Sequence, residues 1–240
     1  MALAMVMEAS DADAIYALVT DPQQIAFLQL ECRLYGSPDG VAPTAAAAPP
    51  RLRLALEEMA LGVVKGFLRL ETPGVDSTVY GGVEEKSRTL VDQITEELRG
   101  DAWQREDIDG DGVTWRLSSR RRTRLRVFRD LWERGYVVTF GSKFGADFLV
   151  YKDDPKKTHA VALVVVKDYE EEFARVDLVS FCRVAKMVKK KLLFACVRTN
   201  GEDKKGDEKK DGSGSEAQSV VYISLTHALL VSRQEASAEE

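Results

Sequence analysis

Residues 127–159 read VFRDLWERGYVVTFGSKFGADFLVYKDDPKKTH, and this stretch decides the fold of the second half of the chain. A helical pattern, VFRDLWERG, leads into the apolar run YVVTF. A glycine-punctuated turn follows, then a second strand-like run, ADFLVY, that ends on Tyr151. His159 stands just before a third run, AVALVVV. Antiparallel pairing of the second and third runs brings the backbones of Tyr151 and His159 close together around a short polar loop.

Working outward, Ala174, Leu178, Phe181, Cys182, Ala185 and Val188 recur at helical spacing. Arg183, Lys186 and Lys190 fall on one polar stripe of the same segment, which predicts Lys190 at a helix end. Strand-like runs LLFACV and VVYISL follow. The alternation predicts an α/β unit, a mixed sheet flanked by helices, with the all-apolar run 160–166 at its centre. Between the last two strands, residues 198–219 form a charged, glycine- and serine-rich insertion expected to be a disordered loop.

A tyrosine, a histidine and a lysine suit one reaction well: attack of an RNA 2′-hydroxyl on its neighbouring phosphate. That step needs a base for the 2′ proton, an acid for the departing 5′ oxygen and a cation for the charge growing on phosphorus. Each residue also has a plainer role open to it. Tyr151 could pack its ring at a strand end and leave its hydroxyl in water. His159 could be an ordinary loop histidine, and His227 is the only other histidine in the chain. Lys190 belongs to a basic run, which is commonly a solvated helix face. An unperturbed tyrosine, with a pKa of about 10, is a poor base near neutrality unless a cation such as Lys190 lowers it.

The 240 residues, 45% of them hydrophobic, suffice for two modest domains. No run approaches a membrane span, and MALAMVM lacks the form of a secretory signal, so a soluble, intracellular protein without membrane insertion is expected. Cys32, Cys182 and Cys196 lack paired metal-ligand spacing and read as reduced thiols, with neither a zinc site nor a disulfide framework. The net charge of −5 disfavours RNA only in total, because residues 116–129 hold seven arginines and no acid. That run, with Arg121, Arg122 and Arg124, could line a phosphate track. It could equally be a solvated linker or an import signal.

The first half is less legible. Residues 1–100 read as a smaller α-rich or α+β domain, broken by the flexible segment SPDGVAPTAAAAPP at 37–50. Residues 52–98 look largely helical, through LRLALEEMALGVVKGFLRL and SRTLVDQITEELRG. Residues 101–119 read as a linker. Its DIDGDG begins like a calcium loop but has Ser118 where the bidentate glutamate belongs, so it reads as an exposed turn. The second domain is set at 120–233, with a tail at 234–240.

The residues also carry a family resemblance: GSKFGADFLVY, DPKKTH and RVAKMVKKKLLFAC resemble the catalytic domain of the tRNA-splicing endonucleases, over roughly residues 124–232. VFRDLWERGY, with DFLVY and DP before the histidine, is most similar to the eukaryotic catalytic subunit that cuts the 3′ splice site. The resemblance implies Tyr151 as general base, His159 as general acid and Lys190 as transition-state stabiliser. It also implies 2′,3′-cyclic phosphate and 5′-hydroxyl products and no metal or cofactor. The chain departs from the usual pattern at Met187 and Lys189, commonly serine and arginine, and at Ala146, commonly glycine; Lys189, Lys190 and Lys191 leave the lysine register open. Lys143, Arg183, Lys186 and Lys189 join Arg121, Arg122 and Arg124 as expected RNA contacts.

Implied partners are intron-containing precursor tRNA, a second catalytic subunit and two structural subunits, with dimerisation through the C-terminal strand. The implied compartment is the nucleus, or alternatively the cytoplasmic face of the mitochondrial outer membrane. Two other readings stand beside this one: a structural or RNA-binding subunit on the same fold, and a metal-dependent nuclease on a related scaffold.

Overall fold

The computed structural model describes residues 1–8, 15–39, 50–71, 118–199 and 218–225. Two five-stranded mixed sheets carry it. The first holds β1 (Ala2–Glu8), β2 (Ile15–Val19), β3 (Ser37–Pro38), β4 (Leu52–Leu54) and β5 (Leu68–Glu71), in the order β3-β4-β2-β1-β5. Helices α1 (Pro22–Leu30) and α2 (Leu56–Val64) complete this unit.

The helical reading of 52–98 is corrected over its described part, which is strand, helix, strand. LRL and LRLE alternate with period two: Leu52, Leu54, Leu68 and Leu70 are buried while Arg53 and Arg69 face water. A nine-residue helix between two short strands shares their leucines, so helical spacing ran across the boundaries. Residues 72–98, the DIDGDG turn and 101–117 of the linker lie outside the described residues, as do 40–49 of the proline- and alanine-rich segment and 200–217 of the charged insertion.

The second sheet follows the sequence closely. Its order is β10 (Gln218–Leu225), β9 (Lys191–Thr199), β8 (Ala162–Val166), β7 (Phe148–Tyr151), β6 (Val137–Phe140). The predicted central run is central, and every β8 residue is buried. β8 pairs antiparallel with β7 and parallel with β9, and helix α4 (Arg175–Met187) makes the crossover between the parallel pair. Helix α3 (Ser119–Glu133) begins earlier than the sequence pattern suggested and takes the arginine run into its first turns.

One apolar core runs from the first sheet through α2 and α3 to one face of the second sheet. A second, with Leu149, Leu163, Val165, Ala185, Leu192 and Phe194, lies under α4. Trp132 ties the two units together. Its indole N–H donates to the Cys32 carbonyl at 2.9 Å, and the Arg33 guanidinium lies 4.5 Å above its ring centre. Lys65 reaches Glu133 at 2.8 Å across the same boundary.

Helix α2 is buried along nearly its whole length, so both of its glutamates need partners. Glu57 accepts from Arg124 Nε at 2.8 Å, and Arg124 also pairs with Asp147, whose other oxygen accepts the Val166 N–H at 2.7 Å. Glu58 pairs with no cation among the described residues: Oε1 accepts the Gly36 N–H at 2.7 Å and Oε2 the Ala55 N–H at 3.1 Å. Burial pushes its carboxyl up to about 7 from an ordinary value of 4.5, with those N–H groups pulling the other way. The unfolded chain therefore ionises Glu58 at lower pH than the folded chain does. Its contribution to stability is fully present below about 4.5 and lost as pH rises through about 7. Urea midpoints between pH 4.5 and 8 should show a decline worth a few kcal/mol, and Glu58→Gln should flatten that decline.

Candidate active site

The sheet register decides where the candidate residues stand. Val150 pairs with Ala162 and Ala162 with Lys191, so these three residues lie on one rung across β7, β8 and β9. One step further towards the same end are Tyr151, Val161 and Lys190. The Val161 N–H donates to the Val150 carbonyl at 2.8 Å and the Lys191 N–H to the Val161 carbonyl at 3.1 Å, which holds that end closed. Tyr151 and Lys190 are thus two strand spacings apart, about 10 Å between backbones. Tyr151 packs into the core under α4, as Leu149 does. Strand parity puts Lys190 on the face of Leu192 and Phe194, which is the same face.

Lys190 is not on the helix stripe that its spacing suggested. Helix α4 ends at Met187, and Lys189 adopts a left-handed φ of 54°. The Lys189 N–H then donates to the Lys186 carbonyl at 3.1 Å and the Lys190 N–H to the Ala185 carbonyl at 3.0 Å. Paired bonds of this kind close a helix and turn the chain sharply. They deliver Lys190 half-buried at the mouth of β9, whereas Lys189 and Lys191 stay exposed. The lysine triplet is distinguished by backbone geometry, not by composition.

His159 is exposed at the end of the loop joining β7 to β8. That loop is a compact turn organised by Asp154. The Asp154 carboxylate accepts the Lys156 N–H at 2.9 Å, and its carbonyl accepts the N–H groups of Lys157 at 2.9 Å and Thr158 at 3.0 Å. Pro155 supplies the fixed φ that such a turn uses. The Lys156 N–H, then the Tyr35 hydroxyl and the charges of Lys157 and Lys156, hold the Asp154 carboxyl below its usual range. Sequence reasoning missed Asp154, although an Asp-Pro pair before a catalytic candidate is a readable turn signal.

The expected cations divide into two groups. Arg183 and Lys186, exposed on the later turns of α4, and Lys189 lie towards the end that holds Tyr151 and Lys190. Lys143, Arg121 and Arg122 lie at the opposite end, because α3 runs about 22 Å from its arginine-rich start towards β6. Arg124 departs from expectation. Its guanidinium faces inward between Glu57 and Asp147 and lies 5.0 Å from the Phe148 ring centre, so its donors are used inside the protein. A groove of about 380 Å³ opens at that far end, over Arg120, Ser142 and Lys167. Lys167 is paired with Glu171 there.

Among the described residues no cluster of three histidine, cysteine, aspartate or glutamate side chains is arranged to hold a metal ion. Cys32 is buried, and Cys182 and Cys196 are half-buried; none is in a disulfide. No helix of the described residues is long and apolar enough to cross a membrane. His227 lies outside the described residues.

Residues 122–205 match the model of the tRNA intron endonuclease catalytic C-terminal domain. A tRNA-splicing endonuclease of Saccharolobus islandicus is 42% identical over 77 residues, 32% of this chain and 42% of that protein. The Saccharolobus solfataricus tRNA-splicing endonuclease matches to the same extent. The tRNA-splicing endonuclease subunit Sen34 of Mus musculus is 36% identical over 107 residues, 45% of this chain and 28% of that protein. The chain thus spans less than half the length of these curated relatives.

A left-handed φ strains a lysine by about 1 kcal/mol and a glycine hardly at all. Lys189→Gly should raise the stability of the chain by about that amount in chemical denaturation, while Lys190→Gly, at an ordinary φ, should not.

Proposed function

We propose that this chain, whose residues 122–205 match the tRNA intron endonuclease catalytic domain, is the catalytic subunit of a tRNA-splicing endonuclease that cuts precursor tRNA at the 3′ splice site. The observation that carries the reading is the shared sheet end. Tyr151 closes β7, Lys190 stands just before β9, and His159 lies on the loop that joins β7 to β8 at that same end.

In this reading Tyr151 takes the proton from the 2′-hydroxyl as its oxygen attacks the adjacent phosphorus. His159 gives a proton to the 5′ oxygen as the phosphorus–oxygen bond breaks, and Lys190 offsets the charge on the pentacoordinate phosphate. The products are a 2′,3′-cyclic phosphate and a 5′-hydroxyl. An open, half-exposed end of a sheet suits a polymer whose reacting nucleotide must be unpaired and in line. Arg183, Lys186 and Lys189 would hold flanking phosphates, with Lys143, Arg121 and Arg122 reaching a more distant part of the RNA.

The assembly belongs to the same proposal: a second catalytic subunit, two structural subunits and a nuclear location. Strand β10 is an edge of the second sheet, with Ile223 exposed on it, and suits pairing with another chain.

The deciding experiment is cleavage of an intron-containing precursor tRNA, in excess chelator, by the complex purified with this chain. His159→Ala should slow the 3′ cut by about 10² to 10⁴-fold and leave RNA affinity nearly unchanged. Lys190→Ala should lose the cut, while Lys189→Gly should keep it and only weaken RNA affinity. Unchanged 3′ cutting by His159→Ala would assign the chain to a structural or RNA-binding role, and cutting that stops in chelator would point to a metal nuclease.

A further inference from the structure

We propose that residues 29–36 of the first unit position the loop that carries His159, with the Tyr35 hydroxyl as the positioning group. This rests on the reading of His159 as the general acid. Tyr35 is nearly buried, and its hydroxyl faces the Asp154 carboxylate, each group shifting the other's protonation. Burial first, then the hydrogen bond with Asp154 and the charges of Asp154 and Asp153, push the Tyr35 hydroxyl up to about 12, so it stays a neutral donor at any physiological pH. A second contact lies beside it. Lys156 Nζ donates to Gln29 Oε1 at 2.8 Å, and Gln29 Nε2 donates to the Tyr35 carbonyl at 3.0 Å.

The ledge itself is rigid. Gly36 has a left-handed φ of 56°, and a Cβ there would sit 2.7 Å from Leu52 Cγ and 2.8 Å from the Arg53 carbonyl oxygen. Its N–H is held by the buried Glu58 carboxylate at 2.7 Å. Next to Tyr35 on the other side, Leu34 is fully buried. A third contact reaches the neighbouring strand: Arg33 Nη1 donates to the Tyr136 carbonyl at 3.2 Å, one residue before Val137, which pairs with Tyr151. The first unit thus touches both the base of β6 and the turn that ends in His159.

Asp154 organises this turn from within: its carboxylate accepts the Lys156 N–H and its carbonyl accepts the N–H groups of Lys157 and Thr158, while the Asp153 carboxylate accepts the Asp154 N–H at 2.7 Å. Whatever fixes Asp154 fixes the direction in which the chain leaves the turn, five residues before His159. An acid serving a leaving oxygen must be held to about half an ångström, and a displacement of about 1 Å can lower a rate by about 100-fold. The loop is anchored at its far end by the Val161 to Val150 hydrogen bond. Tyr35 and Gln29 supply the other anchor.

The test uses the purified complex and single-turnover cleavage of precursor tRNA at saturating enzyme. Tyr35→Phe, which removes one oxygen, should lower the 3′ cleavage rate about 10- to 100-fold with RNA affinity unchanged, and Asp154→Asn should do the same. The double variant should be little worse than either alone, because both break one contact. A substrate with sulfur in place of the bridging 5′ oxygen leaves as a thiolate and needs no acid. On it, Tyr35→Phe and His159→Ala should both cleave at the native rate.

A Tyr35→Phe defect that persists on the sulfur substrate would make Tyr35 merely structural and overturn the proposal. Native cleavage of the oxygen substrate by Tyr35→Phe, with His159→Ala still defective, would overturn it while leaving the role of His159 intact. Native cleavage by His159→Ala would overturn the reading of His159 itself, and the positioning role with it.

Discussion

Everything at the candidate site depends on the pairing of β8 with two neighbours of opposite sense. Antiparallel pairing with β7 fixes Tyr151, and parallel pairing with β9 fixes Lys190; both registers are anchored by a strand whose residues are all buried. Side chains alternate between faces with period two. A slip of one residue in either ladder would therefore move Tyr151 or Lys190 to the α3 face and expose apolar groups in its place. The apolar cores on the two faces thus specify which residues share the candidate site as well as stability.

Helix α3 does a second job that its sequence conceals. Its apolar side, Leu125, Val127, Phe128 and Leu131, closes one face of the second sheet, and Phe128 meets Phe148 with ring centres 5.6 Å apart. Its other contacts belong to the first unit: Trp132 on Cys32 and Arg33, Glu133 on Lys65, Arg124 on Glu57. Arg124 also holds Asp147 at the start of β7. Removing one member of this partly buried group would leave the others unpaired in a poorly solvated site. The two units consequently share a continuous core through α2 and α3.

The second sheet was legible because its strands are separated by strong signals: Gly141 and Gly145 around one turn, Asp154 and Pro155 in the next, and an uninterrupted apolar run for the centre. The trio could be nominated from sequence because only two histidines and few strand-end tyrosines had to be considered. The first sheet was not, since two- to four-residue strands such as LRL and LRLE fall below the window in which periodicity can be judged. Arg124 misled for another reason. Composition shows a run of cations, but only tertiary structure shows that one of them meets Glu57 and Asp147. Tyr35 and Asp154 are 119 positions apart in the sequence and carry no shared motif, so their contact could be found only in the fold.

The end of α4 explains why a lysine triplet stands at this site. The last carbonyls of a helix form a partial negative pole, which repels phosphate. Here two of them, on Ala185 and Lys186, are satisfied by the N–H groups of Lys190 and Lys189, but the dipole of the preceding turns still points towards the site. Lys186, Lys189, Lys190 and Lys191 reverse the sign of the local field. Three of these are exposed and screened by salt, so in the proposed reading they would serve to attract the polyanion. Lys190 differs because it is half-buried and held by the turn at a fixed point of the sheet, where, in the proposed reading, its field would act on one phosphate with little loss to solvent. A run of identical side chains is thus divided by one left-handed residue into a steering group and a single oriented cation.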